Sequence, residues 1–158
     1  MDAGALARRL VEAHNTGDDT TLLTSYAAEA TVRFAGWQEP VAAETWVAAQ
    51  AAIRESFPDL RFEIRSMATG PQHVVVELTM AGTNEGVLHL GDTDRMVLRT
   101  DAAVLPATGR RFRVDGVVVL EVFAGLVTAE RHYWPDVEFL VQLGLVARRP
   151  AAEPVATG

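Results

Sequence analysis

The chain has 158 residues and a formal net charge of −7, and it contains neither cysteine nor lysine. Its length is that of a single domain, and an acidic chain without a basic stripe argues against nucleic acid or an anionic membrane as a partner. The missing residue types exclude disulfide bonds, thiolate nucleophiles, thiolate metal sites and lysine Schiff-base chemistry.

Hydropathy along the chain places the protein in solution. No apolar run approaches the roughly 20 residues of a membrane span. The first ten residues do not lead into the apolar segment of a signal peptide. We therefore expect a soluble, cytoplasmic protein with one domain over residues 1–146 and a disordered tail over 147–158.

The first half of the chain predicts mainly helices. Apolar residues at helical spacing indicate a first helix that ends at Gly17 and a short second helix directly after it. A short strand over 30–34 follows. A third helix is expected between Pro40 and Pro58.

The second half predicts strands. Residues 111–123 and 126–134 form the clearest hairpin, joined at Ala124 and Gly125. The other predicted elements are strands over 60–68 and 72–83, an irregular stretch over 84–95, a possible strand over 96–100 and a helix over 136–143. Helices followed by antiparallel strands predict an α+β fold, with the helices covering one face of a curved sheet.

Six short strings occur in a fixed order along residues 3–145. They are Phe57-Pro58-Asp59-Leu60, Gly82-Thr83-Asn84-Glu85-Gly86, Leu105-Pro106-Ala107-Thr108-Gly109-Arg110-Arg111, Gly116-Val117-Val118-Val119, Glu130-Arg131-His132-Tyr133-Trp134 and Gln142-Leu143-Gly144. In this order they resemble the SnoaL-like polyketide cyclase family. The resemblance implies the cystatin-like α+β barrel shared with ketosteroid isomerase, in which N-terminal helices pack on a curved, mostly antiparallel sheet that encloses a cavity.

The same resemblance implies a class of reaction. Family cyclases close rings by acid–base chemistry on a carbonyl compound, without a cofactor or a metal. Other members of the superfamily isomerise steroids or open epoxides, and some only bind ligands. We therefore expect a cofactor-free cyclase or isomerase of a small hydrophobic natural-product intermediate, with epoxide hydrolysis and non-catalytic binding as alternatives.

Four residues are predicted to be catalytic. The resemblance implies proton transfer by His132 on the last strand and by Asp136 after it, and an oxygen-binding hydroxyl on Tyr26. Glu130 precedes His132 by two residues, so their Cβ atoms lie ~7 Å apart on one strand face and the two side chains can share a substrate or a water. The alternatives are an exposed Glu–His pair and a helix-capping role for Asp136.

Eight further residues are predicted to contact the substrate: His14, Trp37, Trp46, Asn84, His89, Arg99, Tyr133 and Trp134. Asn84 stands where many relatives have a histidine. Arg99 and Asp101 form an Arg-x-Asp pair that is similar to part of the epoxide-opening site. A charged surface loop is the alternative there, as a core position is for His14. The four histidines lack the spacing of metal ligands, so we expect no metal site.

Alternation along the final hairpin predicts two faces. A two-residue turn places Val119 opposite Glu130 and Val117 opposite His132, on a mixed polar and apolar face. The other face is apolar and includes Val118 and Leu120. We expect the mixed face to line the cavity and the apolar face to form a homodimer. The reverse remains open, because patterning alone does not show which side of a sheet is covered.

Overall fold

The computed structural model describes residues 2–91, 94–95 and 98–148. Of the predicted strand at 96–100, residues 98–100 are described and do not form a strand. The predicted tail lies outside the described residues from position 149 onward.

The helices with described bounds lie within residues 3–56 and 136–142. They are α1 (Ala3–Thr16), α2 (Asp19–Ser25), α3 (Ala43–Ser56) and α4 (Asp136–Gln142). Asp2 caps α1 by accepting a hydrogen bond from the Ala5 amide at 2.7 Å, and Gly17 ends that helix in the left-handed conformation that glycine adopts without strain. In the described part of the chain, none of the helices is both long and apolar enough to cross a bilayer.

The main sheet has six strands in the order β2-β1-β8-β7-β4-β3. The strands are β1 (Tyr26–Phe34), β2 (Val41–Ala42), β3 (Arg61–Thr69), β4 (His73–Thr83), β7 (Arg111–Phe123) and β8 (Leu126–Tyr133). All neighbours are antiparallel except β1 and β8, which run parallel. A separate small pair joins β5 (Leu88–His89) to β6 (Val104–Leu105). The predicted α+β class and the predicted hairpin of residues 111–123 and 126–134 are confirmed.

The helices cover one face of the curved sheet. Leu6 and Leu10 of α1 pack in one core cluster with Val74 and Val76 of β4. Burying a leucine or valine side chain stabilises the fold by roughly 1.5–3 kcal/mol, so this apolar stripe holds α1 on the sheet. The stripe therefore places one face of α1 over the inner face of β4.

The final hairpin departs from its predicted register. Phe123 lies opposite Leu126 as expected, but a β-bulge follows at Thr128. The extra residue shifts all later pairs by one place, so that Glu130 lies opposite Leu120 and not opposite Val119. A one-residue shift exchanges the faces of a strand relative to its neighbour. The predicted faces of β7 are therefore wrong, whereas Glu130, His132 and Trp134 face the cavity as expected.

The bulge also turns inward two β7 residues that were expected to lie at a dimer interface. Val118 lies opposite His132, and both Val118 and Leu120 are buried among the core residues on the helix-covered side of the sheet. They cannot contact a second copy of the chain while the helices cover them. Tyr133 has the opposite orientation and is 47% exposed.

Candidate active site

The helices and the inner face of the sheet enclose a cavity of about 310 Å³, which is within the size range of small-molecule sites. Its walls are mainly apolar and aromatic. The larger apolar side chains that line it are Leu10, Ile53, Phe57, Phe62, Val76, Leu78, Met80, Phe112, Val114, Val118 and Leu120. Such walls favour a largely apolar ligand, whose orientation is then set by the few polar groups in the lining.

A chain of hydrogen bonds lies against the sheet side of the cavity. The Tyr26 hydroxyl donates to Oε2 of Glu130, and Oε1 of Glu130 lies 2.5 Å from Nε2 of His132. The indole Nε1–H of Trp134 donates to Nδ1 of His132 at 3.1 Å. Glu130 and His132 are 4% and 6% exposed. The four side chains therefore form one buried polar network in an apolar wall.

Local structure explains how these side chains meet. Alternation along β8 places Glu130 and His132 on the inner face. The parallel pairing of β1 with β8 places Phe34 beside His132, and the two rings stack with centroids 4.2 Å apart and planes 7° apart. Tyr26 begins β1, and its ring is buried behind Glu130. The hydrogen bonds at its two nitrogens and the stacking against Phe34 therefore hold the imidazole ring in one orientation.

The protonation states of the network follow from its contacts. Burial raises the pKa of the Glu130 carboxyl, but the hydrogen bonds with His132 and Tyr26 favour its charged form, and the pKa lies below its ordinary value. Burial and the neighbouring Glu130 raise the pKa of Tyr26 well above its ordinary value. At neutral pH Glu130 is therefore an ionised acceptor, and Tyr26 is a protonated donor.

His14 lines the same cavity from α1. Burial lowers the pKa of its imidazole, an effect that the negative charge of Glu130 partly offsets. A side-chain hydrogen bond with Gln50 of α3 also opposes that lowering. The neighbouring Asn15 exchanges two hydrogen bonds, of 2.9 and 2.8 Å, with the backbone of Phe62, which attaches the end of α1 to β3. His14 is thus a neutral imidazole in a fixed position.

A second polar group in the lining consists of His89, Asp94 and Asp136. Burial and the nearby Asp94 raise the pKa of Asp136. Burial also raises the pKa of Asp94, whose carboxylate accepts a 2.9 Å hydrogen bond from the Gly91 amide. Asp136 is the first residue of α4, and Pro135 occupies the cap position before it. Among the described residues, no group of three or more potential ligands could hold a metal ion.

The comparisons with known proteins agree with this architecture. A family model, described as SnoaL-like polyketide cyclase, matches residues 4–143. The chain belongs to the SnoaL-like polyketide cyclase family.

Solved structures show the same fold. AclR from Streptomyces galilaeus has a TM-score of 0.74 at 21% identity, over 94% of this chain and 84% of that chain. IdmH from Streptomyces antibioticus has a TM-score of 0.71 at 21% identity, over 89% and 97%. A SnoaL-like polyketide cyclase from Agrobacterium tumefaciens has a TM-score of 0.69 at 15% identity, over 91% and 99%. No curated protein matches the sequence. At these identities the structures show the shared fold only.

Most of the predicted site residues of this SnoaL-like chain do meet in the cavity. Those that line it are His14, Trp37, Trp46, His89, Glu130, His132, Trp134 and Asp136. Tyr26 is absent from the lining, since it lies behind Glu130 with its hydroxyl bonded to that carboxylate. In this arrangement Tyr26 does not present its hydroxyl to a substrate oxygen, contrary to the prediction.

Three predicted substrate contacts are wrong. Asn84 is fully buried outside the cavity, where its side chain binds the backbone of Ser56, Gly86 and Thr108 and joins the surrounding loops. Arg99 does not line the cavity. Tyr133 lies on the outer face of the sheet, because its neighbour His132 faces inward.

Other residues of the cavity were missed by the sequence analysis. Phe34 reaches His132 only through the parallel pairing of β1 with β8, which no local pattern reveals. Asp94 lies in a stretch without periodicity. Gln50 could have been predicted from the sequence. It follows Trp46 by four residues, so it is a polar residue on the same face of α3 as that tryptophan.

Proposed function

We propose that the protein is a cyclase or isomerase that transfers a proton on a small, largely apolar carbonyl compound bound in the cavity, by acid–base catalysis alone. The observation that carries the proposal is the ionised, buried carboxylate of Glu130, held by Tyr26 and His132 within an apolar wall. Membership of the SnoaL-like family supports ring closure as the outcome.

Proton abstraction is the first step of the proposed reaction. Glu130 removes a proton from the carbon next to a substrate carbonyl, and the electron pair of the broken C–H bond forms an enolate. The nucleophilic carbon of the enolate attacks a second carbonyl carbon of the same molecule and forms the new C–C bond. The carboxyl proton then passes to the resulting alkoxide, which restores the Glu130 carboxylate.

The remaining lining residues orient the substrate. The aromatic side chains Phe34, Trp37 and Trp46 limit how the bound chain can fold, and bringing the two reacting carbons together removes much of the barrier to an intramolecular reaction. His14 lines the cavity as a neutral imidazole, which has one donor and one acceptor nitrogen with which to orient a polar group of the substrate.

The test uses an aryl-substituted 1,5-diketone, 1-phenylheptane-2,6-dione, which closes to a β-hydroxycyclohexanone. Loss of water then gives a cyclohexenone that absorbs in the ultraviolet. We expect the protein to accelerate closure and Glu130→Gln to lower the rate at least about 100-fold. Glu29→Gln is the matched control, because Glu29 is exposed on β1 and should leave the rate unchanged. Closure at the wild-type rate by Glu130→Gln would contradict the proposal. Tight binding of the diketone without closure would favour a binding module.

A second candidate is epoxide opening, which the acidic pair Asp94 and Asp136 favours. A carboxyl group whose pKa is raised can stay protonated and donate its proton to the epoxide oxygen. The C–O bond then breaks as a substrate hydroxyl, or water, attacks the carbon, and the proton that the attacking oxygen loses returns to the carboxylate. The predicted Arg99–Asp101 pair takes no part, because neither residue lines the cavity.

Heavy-oxygen water separates the two forms of epoxide opening. With a hydroxy-epoxide as probe, ring closure gives an unlabelled cyclic ether, whereas hydrolysis places one labelled oxygen in a diol. If Asp136→Asn opens the epoxide at the wild-type rate, the acidic pair is not the proton donor.

A further inference from the structure

The hydrogen bond between Trp134 and His132 determines what the imidazole can do. Nε1 of the indole lies 3.1 Å from Nδ1 of His132, and an indole N–H is a donor only. Nδ1 must therefore present its lone pair to the indole. The single proton of a neutral ring then lies on Nε2, directed at Oε1 of Glu130.

We propose that Trp134 is a positioning residue that blocks Nδ1 of His132 against protonation, so that Glu130, and not His132, accepts the proton of the substrate. An imidazolium ring would carry a hydrogen on Nδ1 that points directly at the indole N–H, and two opposed donors cannot share one hydrogen bond. The assignment of the base rests on the proposed function, whereas the blocking of Nδ1 does not depend on any reaction.

Gly116 of β7 makes the position of Trp134 possible. The indole packs against the backbone of this glycine so closely that a Cβ atom there would lie 2.2 Å from Cε3 of Trp134. Any larger residue must therefore displace the indole. Trp134 follows the last residue of β8, and its ring lies over the inner face of β7 because position 116 has no side chain.

The other described neighbours of His132 are mainly aromatic or apolar. Phe34 of β1 stacks on the imidazole, and the ring of Trp46 from α3 lies 5.5 Å away between centroids. Val118 of β7 lies opposite it in the sheet. The titratable groups around it are Glu130 on its own strand, Tyr26 at the start of β1 and His14 on α1.

The proposal divides the roles within the network. The C–H bond of the substrate breaks, and its proton binds a carboxylate oxygen of Glu130. Each carboxylate oxygen accepts a hydrogen bond from Tyr26 or His132 with one lone pair, and its second lone pair is available for the proton. The protons of Tyr26 and His132 stay on their own atoms. Both residues act through Glu130 by stabilising its negative charge before the transfer.

The test is a long-range ¹H–¹⁵N NMR spectrum of the ligand-free, ¹⁵N-labelled full chain between pH 8 and pH 6, with His132 assigned from the spectrum of His132→Gln. We expect the Nδ1 signal to remain that of an unprotonated nitrogen throughout. Trp134→Phe keeps an aromatic ring at this position but removes the N–H donor. We therefore expect Nδ1 of His132 to take up a proton as the pH falls, because the negative charge of Glu130 favours the imidazolium. Trp37→Phe is the matched control, because its indole is not bonded to His132.

Gly116→Ala provides an independent arm, because it displaces the indole while keeping its N–H. We expect it to reproduce the protonation seen in Trp134→Phe. Protonation of Nδ1 in the wild-type chain, or an unchanged Nδ1 signal in a folded Trp134→Phe, overturns the proposal. If Trp134→Phe does not fold, the wild-type and Gly116→Ala spectra decide. Failure of the diketone assay leaves these spectra unaffected, so the two proposals fail separately.

Discussion

The carboxylate of Glu130 lies 2.5 Å from the imidazole of His132 in the wall of a mainly apolar cavity. No other residue of β8 on that face is charged. The contact follows from strand geometry, because residues two apart project to the same side. The ionised state of the carboxylate depends on tertiary packing. Tyr26 is 104 residues away in sequence and donates the second hydrogen bond that holds the carboxylate ionised.

Tyr26→Phe tests that second hydrogen bond. The bond favours the charged carboxylate, so its loss should raise the pKa of Glu130 and move the acid limb of the closure rate to higher pH. A hydrogen bond to a charged group contributes about 1.5–3 kcal/mol, so we also expect a loss of unfolding free energy in that range, measured in urea. Tyr133→Phe should change neither quantity, because Tyr133 is exposed. An unchanged acid limb in Tyr26→Phe would show that its hydroxyl does not act on Glu130.

His14 should make stability depend on pH below its ordinary pKa of 6.5. Its pKa is lowered in the folded protein, so between 6.5 and that lower value the unfolded chain binds the proton more tightly. The stability that the neutral imidazole of His14 contributes is present above pH 6.5 and is lost as the pH falls through this window. We expect the urea midpoint to fall between pH 7 and pH 5.

His14→Gln separates this effect from those of the carboxyl groups. The variant cannot take up the proton, so its urea midpoint should fall less over the same interval. His73→Gln is the control, because His73 is exposed at the start of β4. Equal slopes for wild type and His14→Gln would contradict the buried, neutral imidazole.

Val118→Arg tests the inward orientation that the bulge imposes. The substitution places an unpaired charge in the cavity wall opposite His132, and we expect it to lower the free energy of unfolding by about 3 kcal/mol or more. Val119→Arg, on the outer face, should stay within roughly 0.5–1 kcal/mol of the wild type. Chemical denaturation measures both values. A Val118→Arg protein as stable as the wild type would show that the β7–β8 register is not the one described.

Asn84→Ala tests a structural role in place of the predicted substrate contact. The amide donates to the carbonyls of Ser56 and Gly86, and its oxygen accepts from the Thr108 amide. Leaving these buried groups unpaired should cost about 2–3 kcal/mol of stability. At a temperature where the variant is folded, the KM for the diketone should be unchanged. A raised KM with unchanged stability would return Asn84 to the binding site.

Local patterns predicted a large part of the fold. Helical spacing and the signals at Asp2, Gly17 and Pro58 predicted the N-terminal helices, because caps and helix ends depend on the residues beside them. The turn at Ala124 and Gly125 predicted the final hairpin in the same way. Period-two alternation along β8 then placed Glu130 and His132 on one face.

Contacts between distant segments decided the rest. The bulge at Thr128 reversed the predicted faces of β7, and the parallel pairing of β1 with β8 placed Phe34 against His132. The alternation of apolar residues along a strand reveals neither a bulge nor which strand is its partner, because both depend on hydrogen bonds between strands. The sequence by itself therefore determined most of the longer elements and which residues of one strand share a face. Only the tertiary structure decided which face encloses the cavity and how its buried charges are paired, because burial and pairing are properties of the packed chain.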